Sequence, residues 1–206
     1  DARVLRMDAD TTYSRYAYEQ NFGSFRRGEY DIMVGTQMIA KGLNFPEVTL
    51  VGVISADQSL YAGDFRCSER TFSLITQVVG RSGRGEKPGR ALIQTYSPEN
   101  PVIQFAARQD YEAFYADEIQ SRKALLYPPF CDICTVGFAG ETDSGTLRAA
   151  ESFLALLKET AKAAAFSSPL KVLGPAPAGV FKVNNRYRYR LVMKCRAQKE
   201  FRRLMR

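Results

Sequence analysis

The 206-residue chain contains no histidine. A Ser-His-Asp triad, an imidazole base and a histidine-built metal site are therefore excluded. Cysteine is scarce: Cys67, Cys131, Cys134 and Cys195 are the only four. Cys131-x-x-Cys134 has the spacing of half a zinc site, but no second pair and no histidine is there to complete it. The segment around the pair also reads as a strand, which makes buried free thiols the other reading. Few, scattered thiols suit a reducing cytosol. No apolar run approaches the roughly 18 residues that span a bilayer, and the mixed, charged opening from Asp1 to Asp10 is not a signal peptide. No membrane partner is expected. No Lys is followed by Ser or Thr, so the phosphate-cradling loop that ends Gly-Lys-Ser/Thr is missing. The chain starts without Met, as a piece of a longer protein would.

What is present supports a folded protein. The hydrophobic fraction is 45%, enough for a packed core, and the length suits one large domain or two small ones. The net charge of +7 is unevenly spread. From Lys182 to Arg206, ten Lys or Arg stand against one acid, Glu200. Such a block favours a polyanion partner or simply keeps a surface solvated.

Periodicity predicts strands over 3–7, 31–35, 48–54 and 90–96, alternating with helices over 14–27 and 67–84. That order implies a parallel α/β sheet. Residues 101–127 read as one long helical stretch, stopped by Pro128-Pro129. A second unit follows: a strand over 131–138, a helix over 147–165 and a strand over 170–173. Gly174–Gly179 reads as a Pro/Gly-rich turn, and a basic strand over 186–195 comes after it. The expected division is 1–110 for an α/β lobe, 111–129 for a helical linker and 130–206 for a small α+β domain.

Two segments carry the chemistry. In Gln77-Val-Val-Gly80-Arg81-Ser-Gly83-Arg84, a helix would place Gln77, Arg81 and Arg84 on one face, as a fork for phosphate oxygens. Gly80 and Gly83 each cost a helix about 1 kcal/mol relative to Ala, which a ligand or second lobe close to the backbone would explain. An ordinary basic helix end with a glycine cap is the plainer reading. In Gly35-Thr36-Gln-Met-x-Ala-Lys41-Gly-Leu-Asn-Phe-Pro46, a strand end offers backbone N–H groups, a hydroxyl and a cation to a phosphate. A plain strand-to-helix turn is the alternative. Asp117-Glu118-Ile119-Gln120 mimics an acidic Mg²⁺ box but sits in an aromatic helical stretch rather than at a strand end.

Together these segments resemble motifs V and VI of superfamily 2 helicases. With Asp8-x-Asp10-Thr-Thr, Asp64-Phe-Arg-x-x-Glu69-Arg70, Tyr127-Pro-Pro and Leu173-Gly-Pro-x-Pro177, the chain is similar along nearly its whole length to the PriA family of bacterial replication-restart DNA helicases. The resemblance implies a RecA-like second helicase lobe with a parallel sheet, followed by a small C-terminal α+β DNA-binding domain truncated at Arg206. It implies Arg84 as arginine finger, Arg81 as a second γ-phosphate contact, and Gln77 as the group that orients water or links the site to DNA. Gly80 and Gly83 would lie against ATP. Thr36 and the Gly35 backbone would hold a DNA phosphate, with Lys41 as a further contact.

The whole protein would use ATP and Mg²⁺, and would carry zinc in a module outside this chain. Its partners would be forked and single-stranded DNA, single-stranded-DNA-binding protein and other primosome proteins, in the bacterial cytoplasm and nucleoid. Without the Gly-Lys-Ser/Thr loop, this chain alone should not hydrolyse ATP. A non-catalytic DNA-binding module and a lobe of another superfamily 2 branch remain as alternatives.

In the C-terminal unit, Arg186, Arg188 and Arg190 share one strand face and Tyr187 and Tyr189 the other. The arginines are candidate DNA contacts. The tyrosines could stack bases, or the segment could be an edge strand protected by its charge.

Overall fold

The computed structural model describes residues 1–8, 15–36, 47–80 and 89–206. They form two compact units, Asp1–Ala116 and Asp117–Arg206.

In the first unit, β1 (Val4–Met7) pairs in parallel with β2 (Ile32–Gly35), register running from Val4 opposite Ile32 to Met7 opposite Gly35. Between them lies α1 (Arg15–Arg26). Alternation along β1 buries Leu5 and Met7 and exposes Val4 and Arg6. The buried pair packs on Phe22 of α1, with Tyr18, Phe25 and Met33 around it. A second parallel pair joins β3 (Leu50–Val53) and β4 (Arg90–Ile93). Its inner residues, Val53 and Ile93, pack on a cluster from α2 (Asp57–Leu60), α3 (Cys67–Val79), α4 (Pro101–Arg108) and the start of α5 (Tyr111–Leu125). In α3, Cys67, Thr71, Phe72 and Ile75 are the buried residues, a helical spacing that presents one face to the core. Parallel pairing with interleaved helices is the expected α/β class.

The single long helix expected over 101–127 is two. Asn100 caps α4 by accepting from Val102 N at 3.0 Å, with Pro101 in the first turn. Gln109 then takes the left-handed conformation, φ 56°, and ends it. Asp110 restarts the helix by accepting from Ala113 N at 3.0 Å. Left-handed Gln is uncommon, so composition did not betray the break. The boundary between the two units falls within α5, between Ala116 and Asp117.

The second unit runs β5 (Asp132–Gly140), α6 (Asp143–Ala163), β6 (Lys171–Val183), β7 (Arg186–Cys195) and α7 (Lys199–Leu204). The antiparallel sheet has the order β5-β7-β6. Thr142 caps α6 through its side chain, accepting from Gly145 N. Leu157 of α6 and Phe201 of α7 join Met193 and Cys195 of β7 in the core, so both helices cover one sheet face.

Two expectations are corrected here. Residues 174–179 are not a turn but part of β6, which absorbs Gly174, Pro175 and Pro177 by shifting register against β7. The turn lies later, at Asn184 and Asn185, with φ 47° and 62°. Two consecutive left-handed residues suit a tight hairpin, and Asn tolerates them better than most side chains. The basic strand is also not an edge: β7 is hydrogen-bonded on both sides, so its charges do not serve to protect a free edge.

Candidate nucleic-acid interface

Strand alternation sorts β7 by chemistry. Tyr187, Tyr189, Leu191, Met193 and Cys195 point one way, towards α6 and α7, and all but the half-buried Tyr187 are buried. Arg186, Arg188 and Arg190 point the other way and are exposed. Two of them have small neighbours across the sheet: Gly137 and Ala176 flank Arg190, and Ala139 lies opposite Arg188, while Arg186 pairs with Val183. A Cβ built on Gly137 would meet nothing within 4 Å. The floor is open on the β5 side of Arg188 and Arg190, and no acid among the described residues pairs with the three guanidiniums. Alternate residues on a strand lie about 7 Å apart, so the three arginines form an evenly spaced cationic row.

One end of this face is closed. Lys194 is buried, its Nζ donates to the Leu125 carbonyl at 2.6 Å, and it sits 3.7 Å from the centroid of the Tyr127 ring. A stacked, hydrogen-bonded ammonium is held in place and is not available to a phosphate. Lys171, opposite Lys194, stays exposed; sequence reading passed over it because a single Lys gives no pattern signal.

The tyrosines do not form a stacking platform. Tyr189 is buried and its hydroxyl donates to Asp143 Oδ1 at 2.6 Å. That bond to the carboxylate, more than burial, pushes the phenol's pKa up. Tyr187 is half-buried against Phe181, ring centroids 5.5 Å apart, with Lys182 Nζ 4.6 Å from its centroid. Both rings are committed within the protein.

The motor-lobe residues are placed only in part. Gly35 ends β2 opposite Met7, and Thr36 follows it, exposed. Gln77 sits in the last turn of α3 and its amide donates to Ser73 Oγ at 3.2 Å. Gly80 caps α3 with φ −68°. A Cβ there would come 3.2 Å from the Thr76 carbonyl, a tight approach, and 3.8 Å from Gln109 Oε1, an ordinary contact. Lys41, Arg81, Gly83 and Arg84 lie outside the described residues. Of the quoted motifs, Asp64 and Arg70 form an ion pair at 2.9 Å at the head of α3. Glu118 of the acidic-box mimic is tied to Arg122 at 2.7 Å within α5.

One thiol of the Cys131/Cys134 pair is engaged by the backbone. Cys131 Sγ donates to the Leu126 carbonyl at 3.0 Å. Cys195 is buried, and that burial pushes its pKa up. Among the described residues, no group of three or more Cys, Asp or Glu could hold a metal ion. No described helix is long and apolar enough to cross a membrane.

Comparison with known proteins follows the same division. Residues 1–86 match the model of the helicase conserved C-terminal domain. Residues 123–206 match that of the primosomal protein N C-terminal domain. The replication restart protein PriA of Bacillus subtilis (strain 168) is 46% identical over 193 residues, covering 94% of this chain and 23% of its own length. PriA of Chlamydia trachomatis is 43% identical over 195 residues, covering 95% and 25%. PriA of Thermotoga maritima is 36% identical over 192 residues, covering 93% and 25%. The chain thus spans about a quarter of the length of these relatives, and it belongs to the PriA replication restart family, carrying the helicase C-terminal lobe followed by the primosomal C-terminal domain.

Proposed function

We propose that the chain is the second motor lobe and the DNA-holding C-terminal domain of an ATP-driven helicase. The whole protein would move 3′ to 5′ on DNA and start primosome assembly at stalled forks in the bacterial cytoplasm and nucleoid. The observation that carries this is the tandem of a helicase lobe and a primosomal domain on one chain, the latter with an exposed arginine row on one sheet face.

In the lobe, Arg84 would approach the γ-phosphate as an arginine finger and Arg81 would hold a neighbouring oxygen. Fingers of this kind contribute about 10³–10⁵ in rate. Gln77, four residues before Arg81 in the sequence, would orient water or link the site to DNA, and Gly80 and Gly83 would lie against ATP. Bound ATP with Mg²⁺ would supply the phosphoryl transfer that drives movement. Thr36 and the Gly35 N–H would grip a phosphate of the tracked strand, aided by Lys41. Arg186, Arg188 and Arg190 would hold forked or single-stranded DNA. Zinc would be bound elsewhere in the longer protein, because Cys131 and Cys134 supply only half of a zinc site. Single-stranded-DNA-binding protein and other primosome proteins would be the protein partners.

The test is fluorescence anisotropy of the purified chain with forked and single-stranded oligonucleotides across a salt series, with ATP hydrolysis assayed in parallel. Salt-sensitive binding without hydrolysis is expected. No binding at low salt would remove the DNA-holding role. Hydrolysis by the chain alone would remove the two-lobe reading.

A further inference from the structure

The hairpin of β6 and β7 contains an irregularity that the arginine row does not explain. Pro177 pairs with Tyr189 and Lys182 with Tyr187. Between these pairs β7 has only Arg188, while β6 carries Ala178, Gly179, Val180 and Phe181. The extra residues make a wide bulge directly opposite Arg188. Bulges of this kind re-aim side chains and often mark functional edges.

The bulge has a firm base. Phe181 packs edge-on against Tyr187 at 5.5 Å and Tyr189 at 5.7 Å. Tyr189 is in turn fixed to the head of α6 through Asp143. On this base Val180 is held out in solvent, 61% exposed. Gly179 beside it has open space where a Cβ would go. An apolar side chain displayed on an anchored support, next to a cationic row, matches how nucleic-acid-binding proteins press an apolar wedge against a base step.

Resting on the reading of the arginine row as a DNA site, we infer that the Val180 bulge is a junction-reading wedge. Arg186, Arg188 and Arg190 hold the backbone of one DNA strand, and Val180 presses into the first base step where that strand leaves the duplex and partially unstacks it, which brightens a 2-aminopurine placed there. The arginines then supply affinity for any single strand, and Val180 supplies preference for a branch. A bulge that served only to blunt the edge of β6 would leave that preference untouched.

The test compares the chain with its Val180→Ser and Val180→Leu variants, and with Arg186, Arg188 and Arg190 jointly changed to Ala. Each is titrated against a fork and a single strand of equal length, with 2-aminopurine at the first base pair of the fork. The Ser variant should lower the fork-to-single-strand affinity ratio roughly five- to tenfold, the scale of one lost apolar side-chain contact. It should also lose the 2-aminopurine brightening, while single-strand affinity stays as it was; the Leu variant should keep both. An unchanged ratio and unchanged brightening in the Ser variant would overturn the wedge and leave the arginine site standing. If the triple arginine variant bound both DNAs as tightly as the parent chain, the DNA site would fall and the wedge with it.

Discussion

Replacing Arg186, Arg188 and Arg190 by Ala should change how DNA affinity depends on salt more distinctively than it changes affinity itself. The three side chains stand on one exposed face of β7. On an extended strand the first and third are about 14 Å apart, so each can meet a separate phosphate. Each phosphate neutralised on a single strand adds about 0.7 to the slope of log affinity against log salt, through the counterion it releases. Removing all three should flatten that slope by about 2. Between about 50 and 200 mM salt, the triple variant should lose roughly 15-fold less affinity than the parent chain loses. Single variants should each flatten the slope by about a third of that amount. Arg202 and Arg203 provide the control: they lie on α7, whose Phe201 packs into the core on the covered face, and their replacement should leave the slope unchanged. The assay is anisotropy with a fluorescent single strand at five or more salt concentrations. A triple variant that binds more weakly with an unaltered slope, or a control pair that flattens it equally, would refute the assignment of the phosphate contacts to this face.

Two further outcomes follow from the packing and the ion pairs. Met193 is fully buried at the centre of the second unit, against Leu157, Cys195 and Phe201. Met193→Ala should therefore destabilise that unit by about 2–5 kcal/mol, seen in calorimetry as a fall of roughly 8 °C or more in its Tm; a shift of only a degree or two would mean that the core is not packed as described. The Arg3 side chain, bonded to Asp31 at 2.8 Å and 3.1 Å, holds that carboxyl down to about 2, with the Arg3 backbone N–H as the second cause. Because the folded value lies below the unfolded one, the pair's contribution is present above about pH 4 and is lost as pH falls towards 2. NMR titration should give Asp31 a pKa of about 2, and Arg3→Leu should return it most of the way to the ordinary value; an unmoved titration in the variant would show that another group holds the carboxylate.

The family and the class of the fold were legible in the chain because they rest on local signals. Runs such as Ile32–Gly35 and Leu50–Val53 are apolar enough to read as strands, and the interleaved helices make their pairing parallel; their expected burial is not what the structure shows, since Ile32, Val34 and Leu50 are exposed. The two short motifs, Gly35–Pro46 and Gln77–Arg84, are contiguous, so their content needs no folding to be recognised. The alternation of Arg186, Arg188 and Arg190 with Tyr187 and Tyr189 likewise follows from the period of a strand alone. The break at Gln109 escaped because left-handed Gln carries no compositional mark. The true hairpin turn at Asn184-Asn185 was masked by a more obvious Pro/Gly stretch, which β6 accommodates by slipping register.

What the amino-acid order by itself determined was which residues share a face, since side-chain direction along a strand depends only on period. Which face meets solvent depended on tertiary structure. Only the packing of α6 and α7 buries Tyr189 and leaves the arginines open, and only pairing on both sides makes β7 central. Only the unequal spacing of β6 and β7 lifts Val180 out opposite Arg188. These are relations between segments far apart in the chain, settled by which apolar surfaces bury each other, and no local pattern encodes them.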